Sequence, residues 1–219
     1  MHRVEKQLSA AALWLGAVSP FLYAAAQLLG APLYKGYDWK SQLASELGSV
    51  GTASSGIFNV GMVLSGLAMM ASAVGFKLRL ACVTRTKVVP WSIAASLASS
   101  GAASVWAGLH PLPSLIHNPG YWGIGAVAFP PLLAVALWRS PVSPAMRAYL
   151  AGSAIAIVAF LFFSSGLVRI DTSSYDGVLQ RLGAFLVHAP VAVGAITILR
   201  MKSLFNPTAT VSTAVGKAP

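Results

Sequence analysis

The stretch VVPWSIAASLASSGAASVWAGLHPLPSLIHNPGYWGIGAVAFPPLLAVALW, residues 88–138, decides the fold, because its 51 residues include no Asp, Glu, Lys or Arg. A helix that crosses a bilayer needs about 20 apolar residues. This run is too long for one crossing and long enough for two. Its middle supplies the break: His110-Pro111-Leu112-Pro113 and His117-Asn118-Pro119-Gly120 remove backbone donors and favour turns. The run divides into spans over about residues 90 to 109 and 120 to 138.

Outward from this stretch, four more segments lack charge: Gln7 to Tyr34, Leu47 to Phe76, Ala148 to Val168 and Leu182 to Leu199. They predict helices over about 8 to 30, 55 to 76, 148 to 168 and 179 to 199. With 56% hydrophobic residues, 9% charged and a mean hydropathy of +0.71, the 219-residue chain does not compose a soluble domain. The expected fold is all-α: a polytopic membrane protein with six transmembrane helices in one domain, residues 1–202. Residues 203–219, rich in Thr, Ala, Ser, Val and Pro, lack an apolar stripe and are expected to form a disordered tail. The basic start, apolar stretch and Ala24-Ala25-Ala26 of the first span also match a secretory signal. Retention is expected instead, since Leu8 to Gly30 is long enough to cross and keeping it leaves an even number of helices.

Orientation follows from Lys and Arg, which short loops retain on the cytoplasmic side. One side carries Arg3, Lys6, Lys77, Arg79, Arg85, Lys87, Arg139, Arg147, Arg200, Lys202 and Lys217, and the other only Lys35, Lys40, Arg169 and Arg181. Both termini are therefore expected in the cytoplasm of a prokaryotic plasma membrane, with the loops near 31–54, 110–119 and 169–178 outside. Trp14, Trp91 and Trp138 near the inner ends, and Trp39, Trp106 and Trp122 near the outer ends, match interfacial belts. The net charge of +10 is spread over loops and tail, so topology and anionic lipid account for it and no nucleic-acid partner is expected. Cys82 is the only cysteine, which leaves no disulfide framework and no cysteine metal cluster. No cofactor is expected.

The polar chemistry gathers on the expected outer side. Asp38, Glu46, Asp171 and Asp176 lie there, with His110, His117, Arg169 and Arg181, and His188 falls in the outer half of the last helix. In the first loop Asp38 can cap a short interfacial or re-entrant helix from Trp39 to Leu47, with Trp39, Leu43 and Leu47 on one face. Glu46 lies at the edge of that apolar arc and is expected either to be solvated or capping, or to pair with Arg181 or Arg169 or a ligand. Arg181, Phe185 and His188 share a face of the last helix just before Pro190, and ionisable groups inside a membrane mark candidate sites. His110, His117, Glu46 and His188 offer nitrogen and oxygen donors, but no spacing fixes a metal site. Ser45, Ser164 and Ser165 sit in no nucleophile elbow. Asn59, Gly61, Ser65 and Gly66 in the second helix read first as a packing face. Pro20, Pro130-Pro131 and Pro190 place breaks in three helices that can border a cavity.

The segment Asp38 with Ser45-Glu46-Leu47-Gly48, then Phe58-Asn59 with Gly61 and Ser65-Gly66, and Gly177-Val178-Leu179-Gln180-Arg181 resembles the prokaryotic domain of unknown function 998 family of integral membrane proteins. The resemblance spans about residues 10 to 200. Here His110 stands where an aromatic is more usual, and Gln180 replaces an acidic residue. The resemblance implies a six-helix membrane fold and no established activity, and marks Ser45, Glu46, Asn59, His117 and Arg181.

The leading functional expectation is a non-enzymatic or transport-associated protein that binds a lipid headgroup or small amphiphile in an outward-facing pocket, with Glu46, Arg181, His188, His117 and Asn59 as its candidate residues. The enzymatic alternative is a membrane-embedded hydrolase or transferase with Glu46 or His117 as base and Arg181 stabilising negative charge. The third is a scaffold that packs through the small residues of the second helix.

Overall fold

The structure, a computed structural model, describes residues 2–118, 123–164 and 171–201. Six helices run α1 (Arg3–Gly30), α2 (Ser55–Leu80), α3 (Val88–Leu109), α4 (Ile124–Leu137), α5 (Pro144–Ser164) and α6 (Asp176–Arg200), and no strand occurs among the described residues. All but α4 are long and apolar enough to cross a membrane. The 14 residues of α4 reach about 21 Å at 1.5 Å per residue, short of a hydrocarbon core of about 30 Å. Its expected first turn, with Trp122, lies outside the described residues, as do Arg169, Ser165 and the tail expected over 203–219.

The α1 and α5 helices start before their apolar stretches because polar groups satisfy their first turns. The α1 helix starts at Arg3, where the Glu5 carboxylate accepts the His2 N–H at 2.9 Å. The α5 helix starts at Pro144, four residues before its apolar run. Proline at the first helical position needs no donor, and the Ser143 hydroxyl accepts the Met146 N–H at 3.2 Å.

Between helices in lipid there is no water to expel, so close packing and hydrogen bonds hold the bundle. The α2 helix sits between α1 and α3. A Cβ on Gly66 would stand 2.5 Å from the Gly101 carbonyl oxygen, so only glycine lets α2 and α3 approach this closely. Ser65 donates to the Ser19 carbonyl of α1 at 2.8 Å. The main core joins Leu13 and Ala17 of α1 to Met69 and Phe76 of α2, Phe129 and Leu133 of α4, and Val191 and Ala195 of α6. These contacts make α1 an integral part of the bundle. Trp14, Trp91 and Trp138 face outward instead.

At the end where α1, α3 and α5 begin, several basic side chains have internal partners. Arg79 is buried and its Nε donates to Ser9 Oγ at 2.8 Å. Lys77 lies 4.6 Å over the Trp91 ring. The opposite end is covered by residues 31–54, which fold back onto the bundle. Ala44 and Leu47 are fully buried against Ala26 and Ala31 of the α1 end and Phe58 of α2.

That cover differs from the amphipathic helix expected over Trp39–Leu47. Residues 38–42 form a turn, Leu43 is extended, and a short 3-10 helix occupies Ala44–Gly48. Asp38 does cap one turn, accepting from Lys40 N at 3.0 Å and Ser41 Oγ at 2.5 Å, but the turn stops at Leu43, whose N–H bonds the Glu46 carboxylate and not a carbonyl one turn back. Trp39 and Leu47 therefore share no face: Trp39 is exposed and Leu47 is buried.

Candidate functional site

The cover is fastened at each of its polar residues. Glu46, in the first turn of the 3-10 helix, reaches back so that its carboxylate accepts the Leu43 N–H at 2.8 Å and the Gln42 side-chain amide at 3.1 Å. Arg181, in the second turn of α6, donates through Nη1 to the carbonyls of Trp39 (3.0 Å), Gln42 (3.2 Å) and Gly177 (2.7 Å), and through Nη2 to the Tyr37 hydroxyl. Glu46 and Arg181 do not form the ion pair considered from the sequence. They hold opposite ends of one peptide group, the Leu43 N–H and the Gln42 C=O, and so oppose each other's charge across it. The Tyr37 hydroxyl donates in turn to the Leu43 carbonyl at 2.9 Å. Burial pushes the Tyr37 phenol above its ordinary value, with the Arg181 charge pulling the other way. Hydrogen bonds, first from Ser41 and then from the Lys40 N–H, hold the Asp38 carboxyl below the usual carboxylate range.

Gln180 completes the clasp from the next position of α6. Its oxygen accepts the Ala44 N–H at 2.5 Å and its nitrogen donates to Ser45 Oγ at 3.3 Å. A carboxylate here would keep the first contact and reverse the second, with the Ser45 hydroxyl donating to it. Gly177 lies under the loop so closely that a Cβ would stand 2.2 Å from the Gln42 carbonyl oxygen. On the α2 side, Asn59 donates to the Gly48 carbonyl at 2.8 Å, closing the C-terminal end of the 3-10 helix. Ser45, Glu46, Asn59 and Arg181 thus act on one segment; Asn59 and Arg181 come to it from α2 and α6, which sequence spacing does not reveal.

His117 is set apart from this clasp. Its Nδ1 lies 2.8 Å from the His110 carbonyl, and its ring borders a 370 Å³ cavity with Tyr23, Ser45, Asn118 and Gln180. His110 stacks on Trp106. The nitrogen and oxygen set of Glu46, His110, His117 and His188 does not assemble, and no three His, Cys, Asp or Glu side chains gather for a metal among the described residues.

A lateral groove of 630 Å³ opens between α1 and α6, bordered by Pro20, Ala24, Gln27, Ala184, Phe185 and His188, with Trp39 and Arg181 at the covered end. The helices are antiparallel, and alanines line the space along both. His188 is buried and stacks on Tyr23 with ring centroids 5.4 Å apart. Four buried polar side-chain atoms have no hydrogen-bond partner among the described residues, and three belong to residues bordering this groove: Gln27 Oε1, Arg181 Nε and His188 Nδ1. Arg181 and His188 were legible as an i, i+7 pair on one face. Gln27 was not, because an uncharged amide near the end of an apolar run carries no mark until α6 is placed beside it.

Residues 17–197 match the family model described as protein of unknown function (DUF998). No curated protein and no solved structure matches the chain.

Proposed function

This chain belongs to the DUF998 family, whose description assigns no function, and from its own side chains we propose that it binds a membrane amphiphile in the groove between α1 and α6. One observation carries the reading: a lateral groove between α1 and α6, lined mostly by apolar side chains, has the Arg181 cation at its covered end. A cation beside an apolar space at membrane depth is costly without a partner. An amphiphile fits such a groove by placing its polar end toward Arg181 and its chain along the alanines. With the basic end in the cytoplasm, the groove faces the outer leaflet.

Charge sets the polarity of the ligand. The Arg181 charge is met by neutral carbonyls and a phenol, so an anionic head near it gains from that charge. The clasp on residues 37–46 makes the mouth of the groove rigid. Glu46, Asn59 and Gln180 support this reading by positioning the loop, not by touching the ligand. Enzymatic use of Glu46 as a base is less supported, since its carboxylate already accepts two hydrogen bonds within the loop.

A phospholipid with a photoactivatable acyl chain tests the proposal on protein in nanodiscs. Crosslinks are expected to concentrate on α1 and α6 between Pro20 and Val193, and to fall when Ala24→Trp fills the groove. Even labelling of all outward helix faces, unchanged by the substitution, would overturn it.

A further inference from the structure

The basic end of the bundle holds a second cavity, at the opposite end from the cover. It measures 610 Å³ and lies where the loop between α2 and α3 meets the end of α4, bordered by Thr84, Arg85, Val89, Val135, Trp138 and Arg139. Arg85 and Arg139 are both exposed, so both are open to a ligand in the space they border.

These two arginines differ from others at the same end. Arg79 donates to Ser9 Oγ, Arg147 to the Ser140 carbonyl, and Lys77 lies over the Trp91 ring. Arg85 and Arg139 have no hydrogen-bond or ion-pair partner among the described residues. No carboxylate borders the cavity. The chain has five acidic side chains, four of them in the cover or at the start of α6, and the fifth, Glu5, accepts the His2 N–H. Two cations facing one space with no internal counter-charge favour an anion from outside. The backbone already holds them there. The Thr84 hydroxyl bonds the Leu80 carbonyl at 2.9 Å and lies 3.1 Å from the Thr86 carbonyl, which fixes the loop on either side of Arg85. Next to Arg139, Ser140 is buried, its N–H donating to the Leu137 carbonyl at 3.0 Å and its carbonyl accepting from Arg147 at 3.1 Å. Little backbone freedom is left for a ligand to remove.

We propose that this cavity binds the phosphate group of an anionic phospholipid between Arg85 and Arg139, with the acyl chains running out along Val135. Guanidinium forks match phosphate oxygens in geometry as well as charge. Basic pockets between membrane helices take such headgroups. Trp138, 65% exposed, marks the depth of the interface at which a headgroup lies. Val89 and Val135 give the space an apolar border that a soluble phosphate would not use. A zwitterionic lipid would bring its own cation to the two arginines and is disfavoured. The site is at the other end of the bundle from the groove between α1 and α6, and it does not depend on the amphiphile reading of that groove.

Native mass spectrometry of the full chain, titrated with phosphatidylglycerol and with phosphatidylcholine, tests the proposal. The wild type is expected to retain one phosphatidylglycerol that Ala24→Trp does not remove, about tenfold more tightly than phosphatidylcholine. The double variant Arg85→Gln and Arg139→Gln is expected to lose that preference. Arg3→Gln with Arg200→Gln removes the same charge from exposed positions outside the cavity and is expected to keep it. Equal losses from the two pairs would show a diffuse surface attraction and overturn the site. Equal retention of both lipids by the wild type would overturn it as well, whether or not the variants fold. Glycerophosphoglycerol, the same headgroup without chains, separates the sources: displacement of the lipid at comparable concentration would assign the cavity to a soluble phosphate and overturn the membrane source. Crosslinking along α1 and α6 is a separate readout, so either reading can fail while the other stands.

Discussion

Arg181 and Glu46 show how two opposite charges can cooperate without touching. Each holds a different end of the peptide between Gln42 and Leu43, and the backbone between them carries the coupling. Tyr37 is the third member, accepting from Arg181 and donating to the Leu43 carbonyl. Its phenol must stay protonated to do both. Because burial raises its pKa in the folded protein, the stability it contributes is fully present below the unfolded phenol value of about 10 and is lost as pH rises through the higher folded value. Thermal melts between pH 8 and 11 should show a steeper loss above about pH 10 for the wild type than for Tyr37→Phe. Parallel curves would remove Tyr37 from the clasp. The residues that mark the family resemblance were legible in sequence, and so was the capping alternative for Glu46, but not which backbone groups Glu46 and Asn59 would serve.

Among the elements, the cover over residues 31–54 departs furthest from sequence expectation. An i, i+4, i+8 spacing of Trp39, Leu43 and Leu47 suggests a helix, yet the turn that Asp38 caps ends at Leu43, whose N–H the Glu46 carboxylate takes. The segment is then bent into the bundle, where Leu47 packs on Phe58. The start of α6 fits under it only because residue 177 has no side chain. Gly177→Ala would bring a Cβ to 2.2 Å from the Gln42 oxygen and 2.7 Å from the Trp39 oxygen, both backbone atoms that cannot rotate away. The expected cost is about 1 to 3 kcal/mol of stability, as for other overpacked contacts. Faster limited proteolysis within residues 34–43 should accompany it, and a variant as stable and resistant as the wild type would show that α6 and the cover are not in close contact. The start of α5 carried a readable signal in Ser143-Pro144, a cap followed by proline at the first helical position.

For the whole molecule, the expected direction of threading rests on charge alone. Cys82 lies in the loop after α2 at the basic end, and Lys35 is exposed in the cover. In intact cells a membrane-impermeant maleimide should leave Cys82 unlabelled until lysis, and should label Lys35→Cys in a Cys82→Ser background. The reverse pattern would place the groove in the inner leaflet and its ligand in the cytoplasmic half of the bilayer. Two arginines at the basic end also serve the fold, since Arg79 joins α2 to α1 through Ser9 and Arg147 donates to the Ser140 carbonyl.

An all-helical membrane fold was determined by the sequence itself, because the length of an apolar run and the absence of charge within it are properties of contiguous residues, each compared with the same bilayer thickness. The same holds for the breaks around His110 and His117, where proline acts on its own backbone. Which polar atoms have partners was decided only by tertiary structure. Gln27 and His188 are 161 positions apart in the chain, and whether each is satisfied depends on the distance between two helices, which small side chains set by close packing and no local pattern encodes.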